Sequence, residues 1–231
     1  MKMKNGVAIY GGFAGTETSK DQRVAGNNTI LDGEGKYRVF YNNYSSSNKL
    51  TNSAKLDNVT IQNGYASYGA GIYNYYASPE ITNCTFTNNS GDGVSNWYNS
   101  SPILLNCMFI NNVSAGMTNI YSSCPTLTNC TFSNNSGRGI SNNSSNPTLT
   151  NCTFLNNSVS GSGGGIGNIS SNPIIVNCTF SGNSASESGG AIYNLAAYTS
   201  CNPIIVNCTF VNNSAGEYGQ GNAIYNEMDG E

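Results

Sequence analysis

The 231-residue sequence predicts an all-β fold, a right-handed parallel β-helix with three strands per coil and about eight to nine coils. Three observations carry that expectation. First, all six prolines (Pro79, Pro102, Pro125, Pro147, Pro173, Pro203) lie five residues before a cysteine (Cys84, Cys107, Cys130, Cys152, Cys178, Cys208). Each of these cysteines is followed two residues later by phenylalanine (Phe86, Phe109, Phe132, Phe154, Phe180, Phe210), and three further on by asparagine. Second, the cysteines recur at intervals of 23, 23, 22, 26 and 30 residues, the period of a solenoid. Third, no window holds the i, i+3, i+4, i+7 apolar pattern of a helix. Short runs of Thr, Ile, Val, Tyr and Phe alternate with polar residues between Asn and Gly, which reads as strands and tight turns.

In chain order, Met1-Lys2-Met3-Lys4 begins like a charged leader, but Asn5-Gly6 follows where an apolar run belongs. The expectation is a fragment of a larger protein that carries its signal elsewhere. Val7 to Tyr10 starts the stack, and Asn28-Thr29-Ile30 with Phe40 makes a looser coil. Thr29 is expected to face outward there. Residues 1–57 form irregular, charged N-terminal coils of a single domain spanning 1–231, and 58–231 form regular coils of 22 to 32 residues. In Leu56 to Ile61, Val59 stands in the cysteine slot. From Pro79 on, each coil has an inward Ile or Leu two after proline (Ile81, Leu104, Leu127, Leu149, Ile175, Ile205). The next inward residue is the cysteine, three further on, so the chain must bend at the intervening asparagine, a residue that tolerates left-handed backbone. Phenylalanine then faces inward. A third strand completes the coil, with its inward column reading Ile9, Phe40, Ile72, Val94, Met117, Ile140, Ile166, Ile192 and Ile224. Nine levels make a rod of about 38 Å at strand spacing.

Stacking puts like on like. A cysteine column can be read as disulfides or a metal row, or as small apolar packing. The absence of C-x2-C spacing favours packing. Cys124 and Cys201 fall outside the column, three coils apart, where pairing with each other is not expected. Free thiols suit reducing surroundings. The 39 asparagines are expected to form amide ladders at the corners.

Composition excludes several chemistries. Charged residues are 9 % of the chain and histidine is absent, so imidazole-based triads and metal sites are ruled out. A net charge of −3 disfavours nucleic acid. No apolar run approaches a membrane span. Only one basic residue, Arg138, follows position 57.

Phe180-Ser181-Gly182-Asn183 and Gly189-Gly190-Ala191-Ile192 match the F-x-x-N and G-G-A-I signatures of polymorphic outer-membrane-protein repeats. The chain resembles those autotransporter-type surface proteins and adhesins, built as pectin-lyase-like β-helices. G-G-A-I is intact once and varies elsewhere, as Gly-Gly-Gly-Ile before Gly167. Ile9-Tyr10-Gly11-Gly12-Phe13 and Thr29-Ile30-Leu31-Asp32-Gly33 also look like the first coils of large bacterial surface β-helices. The resemblance implies a cell-surface or extracellular location and a role in adhesion or as a stalk, with a polysaccharide or host-surface ligand. β-Helix enzymes, it further implies, are mostly polysaccharide lyases and glycosidases that use acidic clusters with Ca²⁺, a basic residue, or paired carboxylates.

For such chemistry this sequence has little. No catalytic residue, metal site or cofactor is assigned. Asp32, Glu34, Lys36, Arg38 and Asp57 could cluster as a site or serve as a solvated cap. Glu187 and Glu217 lie in unlike loops, and Glu227, Asp229 and Glu231 crowd the terminus. A binding face is the better expectation: Tyr73, Tyr193 and Tyr225 together on the third-strand face, with Tyr75, Tyr76 and Trp97 nearby, suit carbohydrate stacking. An outward column of Thr85, Thr131, Thr153, Thr179 and Thr209 resembles the face of ice-binding solenoids, although its neighbouring column (Thr87, Ile110, Ser133, Leu155, Ser181, Val211) is irregular. Uncapped coil edges would favour end-on self-association.

Overall fold

Left-handed residues at three corners shape each coil. At the bend between the first and second strands stand Asn58, Asn83, Asn106, Asn129, Asn151, Asn177 and Asn207, with φ between 51° and 57°. Asparagine adopts this region at lower cost than other side-chain-bearing residues. The bend after the second strand repeats the device at Asn63, Asn88, Asn111, Asn134, Asn156 and Asn212, with Gly182 replacing asparagine once.

These corners fold the chain into three parallel sheets of eight strands each. The computed structural model describes residues 1–23 and 26–228. The first sheet runs from Ala8–Tyr10 to Ile204–Val206, the second from Thr29–Asp32 to Thr209–Val211, and the third from Phe40–Asn43 to Ile224–Met228. A two-residue pair, Ser158–Val159 with Ser184–Ala185, adds a small fourth ladder. Register is strict: Phe109 pairs with Phe86 and Phe132, and Leu104 with Ile81 and Leu127.

The interior is a set of columns. Six phenylalanines stack with ring centroids 4.5–5.0 Å apart and planes within 8° of parallel. Cys84, Cys107, Cys130, Cys152 and Cys178 are buried, Cys208 is partly buried, and all eight cysteines are free thiols. Burial pushes the Cys84 thiol up to about 12. The column packs as small apolar side chains in the interior, and burial holds the Cys84 thiol protonated.

Amide ladders are present at the corners, as at Asn106 and Asn129, whose Nδ2 atoms donate to Asn83 and Asn106 Oδ1 at 3.1 and 3.2 Å. Two longer ladders lie inside. From Asn42 to Asn226 each Nδ2 donates to the next Oδ1 at 2.7–2.9 Å. From Asn89 to Asn213, the asparagines of F-x-x-N do the same, and each also donates to a main-chain carbonyl one coil back, as Asn135 does to Phe109 O at 3.1 Å. Buried polar atoms are costly unless bonded, and the repeat bonds these in every coil.

The N-terminal coils depart from expectation in two places. Ile9 pairs with Leu56 and so belongs to the first sheet, not the third. The third-strand column begins at Phe40, giving eight levels and about 34 Å of rod. Thr29 pairs with Val59 and takes the cysteine slot, so Ile30 stands in the outward thread. Two adjacent apolar residues make Thr29–Asp32 ambiguous by period two. Leu31 wins the core and Ile30 stays half exposed. Met3, which the sequence left unassigned, is buried in the core, and its N–H donates to Asn42 Oδ1 at 2.9 Å.

Candidate functional site

The third sheet carries two outward columns. One reads Tyr41, Tyr73, Ser95, Thr118, Ser141, Gly167, Tyr193, Tyr225. The other begins Asn43, Tyr75, Trp97, Ile120. Tyrosines are thus placed at both ends of the rod. Tyr73 and Tyr193 stand five strands apart, about 24 Å. The expected single grouping of Tyr73, Tyr193 and Tyr225 does not form. Period two places all three on one face correctly, but identical motifs in distant coils stay distant in a solenoid. Tyr193 and Tyr225 stack with each other alone, 6.2 Å between centroids.

At the other end the aromatic residues converge. Tyr73 stacks on Tyr41 at 5.6 Å and lies 6.5 Å from Tyr75 and 6.2 Å from Trp97. Tyr68, from the loop before this strand, meets Trp97 edge-on at 5.4 Å. Tyr98 contacts Tyr75, Tyr76 and Tyr121 at 5.1, 6.1 and 4.7 Å. The sequence pointed to Tyr73, Tyr75, Tyr76 and Trp97 and missed Tyr41, Tyr68, Tyr98 and Tyr121. Tyr98 and Tyr121 are 23 residues apart, the repeat period, which is the signal that could have joined them.

The backbone under this patch is unusual. At the corner after the third strand, Tyr76, Tyr98 and Tyr121 have φ of 49°, 50° and 55°, where later coils put Ser144 and Ser170. Left-handed backbone is uncommon for a bulky side chain and costs on the order of 1–3 kcal/mol per residue.

Arg38 lies over both Tyr41 and Tyr73, at 5.0 and 4.9 Å from the ring centroids. Its Nε and Nη2 donate to Gly69 O and Tyr68 O, tying the Tyr68 loop to the patch. Burial holds the Arg38 guanidinium below its ordinary value and pushes the Tyr73 phenol up. The Trp97 indole N–H is buried and finds no acceptor among the described residues. The patch can offer ring edges and faces and phenolic hydroxyls to a ligand.

The N-terminal charges disperse. Asp32 accepts from Gln62 Nε2, Asn63 Nδ2 and the Glu34 N–H, and the Gln62 bond foremost holds its carboxyl low. Asp57 instead pairs with Arg23 at 2.6 Å and accepts from Thr82 and Asn83. Burial opposes its ionisation, but those bonds outweigh it and hold the carboxyl low. Arg38 precedes the third-sheet strand Phe40–Asn43 and lies over its tyrosine column. Asp32, Glu34, Lys36, Arg38 and Asp57 thus do not share one face: Asp32 caps the turn at Glu34, and Asp57 is held by side chains at the first corner. Among the described residues no group of three or more acids or cysteines is placed to hold a metal. Asp229 and Glu231 lie outside those residues.

Thr85, Thr131, Thr153, Thr179 and Thr209 stand in register on the second sheet, with Met108 between the first two. A tighter block escaped the sequence reading: Thr126 and Thr128 pair with Thr148 and Thr150 on the first sheet. Cys124 and Cys201 are free, and sit in different ladders: Cys124 Sγ accepts from Asn146 N–H, and Cys201 Sγ contacts Ser171 O.

The family model described as right handed beta helix region matches residues 5–166 and 120–228. The chain belongs to this right-handed β-helix family. No curated protein and no solved structure is significantly similar to this β-helix. Among its described residues, no helix is long and apolar enough to cross a membrane.

Proposed function

We propose that this β-helix is a non-enzymatic module of a surface or secreted protein that binds a carbohydrate through the aromatic patch, in the manner of an adhesin. The observation that carries the reading is the patch itself: Tyr41, Tyr68, Tyr73, Tyr75, Trp97, Tyr98 and Tyr121 in one continuous network over the third sheet and its flanking loop and corner. Large amphipathic rings with a polar tip suit a ligand that is apolar on one face and hydroxylated at its rim. A cluster of exposed aromatic residues on a soluble surface marks an interaction site. The left-handed tyrosines strengthen the case, because strain of this kind concentrates at binding sites. The F-x-x-N and G-G-A-I repeats fit a surface protein. The dispersal of the N-terminal acids and bases, and the single basic residue beyond position 57, speak for binding without turnover.

The test is affinity electrophoresis through gels containing soluble polysaccharides, with and without Ca²⁺, alongside an assay for released sugar ends. Retardation by at least one polysaccharide is expected, with the dissociation constant raised tenfold or more in Tyr73→Ala and Trp97→Ala and no sugar released. Unretarded migration in every gel, or release of product, would sink the reading.

A further inference from the structure

Arg138 is the one basic residue beyond position 57. Its side chain leaves the corner before the strand Ile140–Asn143 and runs across the next coil. There its Nε donates to Ser162 O at 2.8 Å. Its path is open only because position 167 is glycine. A Cβ at Gly167 would lie 2.3 Å from Nε and 2.7 Å from Cδ. In the outward tyrosine column, then, the guanidinium occupies the level below Tyr193.

Two polar groups face it from the following coil. Glu187 projects from the loop before Gly189, and its Oε2 accepts from Ser162 Oγ at 3.1 Å. Arg138 Nη2 and Glu187 Oε2 each lie 3.9 Å from one point above Gly161, yet they form no ion pair. Tyr193 completes the group, its hydroxyl donating to Glu227 Oε2 at 2.5 Å. Burial lowers the Arg138 guanidinium and, with Glu227 and Glu187, raises the Tyr193 phenol.

A donor fork and a carboxylate held apart across a small gap call for a ligand that can both accept and donate. Adjacent hydroxyls on a sugar ring do both: one oxygen accepts from the guanidinium, and one O–H donates to the carboxylate. A simple anion would meet Glu187 and Glu227, and a simple cation would meet Arg138. We propose that Arg138, Glu187 and Tyr193 form a second binding subsite, specific for vicinal hydroxyls of an uncharged sugar, separate from the aromatic patch. It shares the carbohydrate chemistry proposed above but stands on other residues, with the guanidinium at the level of Gly167, three strands or about 14 Å along the sheet from Trp97.

The experiment is affinity electrophoresis of the full chain in gels containing a mixed-linkage β-glucan, a galactomannan or an arabinoxylan. Variants Glu187→Gln, Arg138→Met and Tyr193→Phe are run beside Trp97→Ala. Glu187 is an exposed loop residue, so Glu187→Gln tests the subsite without disturbing the coils. Arg138→Met keeps the packing over Gly167. Both are expected to raise the dissociation constant at least fivefold for one of these polysaccharides, and Tyr193→Phe about twofold. Glu187→Gln and Arg138→Met that bind as the unaltered chain does would overturn the subsite, even if Trp97→Ala abolishes binding and so leaves the patch standing. Loss in Glu187→Gln with full binding in Trp97→Ala would uphold the subsite and remove the patch. No retardation of the unaltered chain in any gel would overturn both.

Discussion

Asp92 shows how much a single residue costs in this interior. It is 3 % exposed and has no cationic partner among the described residues. Ser95 Oγ, Ser114 Oγ and the Ala115 N–H donate to it at 2.6, 2.8 and 3.2 Å. Burial outweighs these bonds and raises the carboxyl above its ordinary value of 3.8. An acid raised in the folded state binds more protons folded than unfolded over that window. Stability is therefore greatest below about pH 3.8 as far as this group is concerned, and falls as pH rises towards the folded value. Asp92→Asn keeps an acceptor for Ala115 and lets Ser95 Oγ accept from the new amide. It is expected to stabilise the protein by about 1 kcal/mol at pH 7 and to flatten the acid-side slope. Urea midpoints for both proteins between pH 4 and 8 decide this, and a less stable Asp92→Asn at pH 7 would show the carboxylate to be structurally required. Nothing in the sequence marks Asp92, because one acid in one coil breaks no repeat.

At the scale of the coil, the buried ladders matter more than the corner ladders. Asn135 Oδ1 accepts from Asn112 N–H and Nδ2, and Asn135 Nδ2 donates to Phe109 O and Asn157 Oδ1. Asn135→Ala leaves those groups buried and unpaired, at about 1–3 kcal/mol each before relaxation. Asn106 is exposed, and its amide bonds join exposed neighbours at 3.1 and 3.2 Å. Asn106→Gly keeps the left-handed corner open and is expected to cost under about 1 kcal/mol. Chemical denaturation of the two variants checks the order, and equal costs would mean the interior amides add nothing beyond solvent-exposed ones. This element was largely legible in the sequence. Pro, Cys, Phe and Asn recur at one interval, so the corner, the two interior slots and the F-x-x-N asparagine could be placed by counting. The serine ladder was not seen, although Ser100, Ser123, Ser145 and Ser171 repeat the 23, 22 and 26 spacing of the cysteines. Each of these hydroxyls accepts a main-chain N–H from the coil before it, as Ser123 Oγ does from Ser100 at 3.2 Å. Serine is common in loops, and a column of it draws no notice by composition. The slip at Thr29 has a different cause, since Ile30 and Leu31 offer two registers and only packing against Ile61 separates them.

Across the whole molecule, a solenoid separates sequence motifs by number of coils rather than by chemical likeness. That is why Tyr73 and Tyr193, alike in motif, end about 24 Å apart. It is also why Tyr68 and Tyr121, unlike in motif, meet at Trp97. The candidate site was only half legible for this reason: the residues of one face could be read by period two, but the loop and corner tyrosines reach it from outside that period. The same geometry offers a direct probe. Trp97 is the only tryptophan in the chain, and it stands in the middle of the patch. Its fluorescence therefore reports on that face alone. Titration with the polysaccharides above, in native and Tyr73→Ala forms, tests the binding claim most directly. A saturable change in Trp97 emission is expected with at least one of them, its affinity weakened tenfold or more by Tyr73→Ala. Emission that stays unchanged while the same polysaccharide retards the protein in a gel would place the binding elsewhere and contradict that claim.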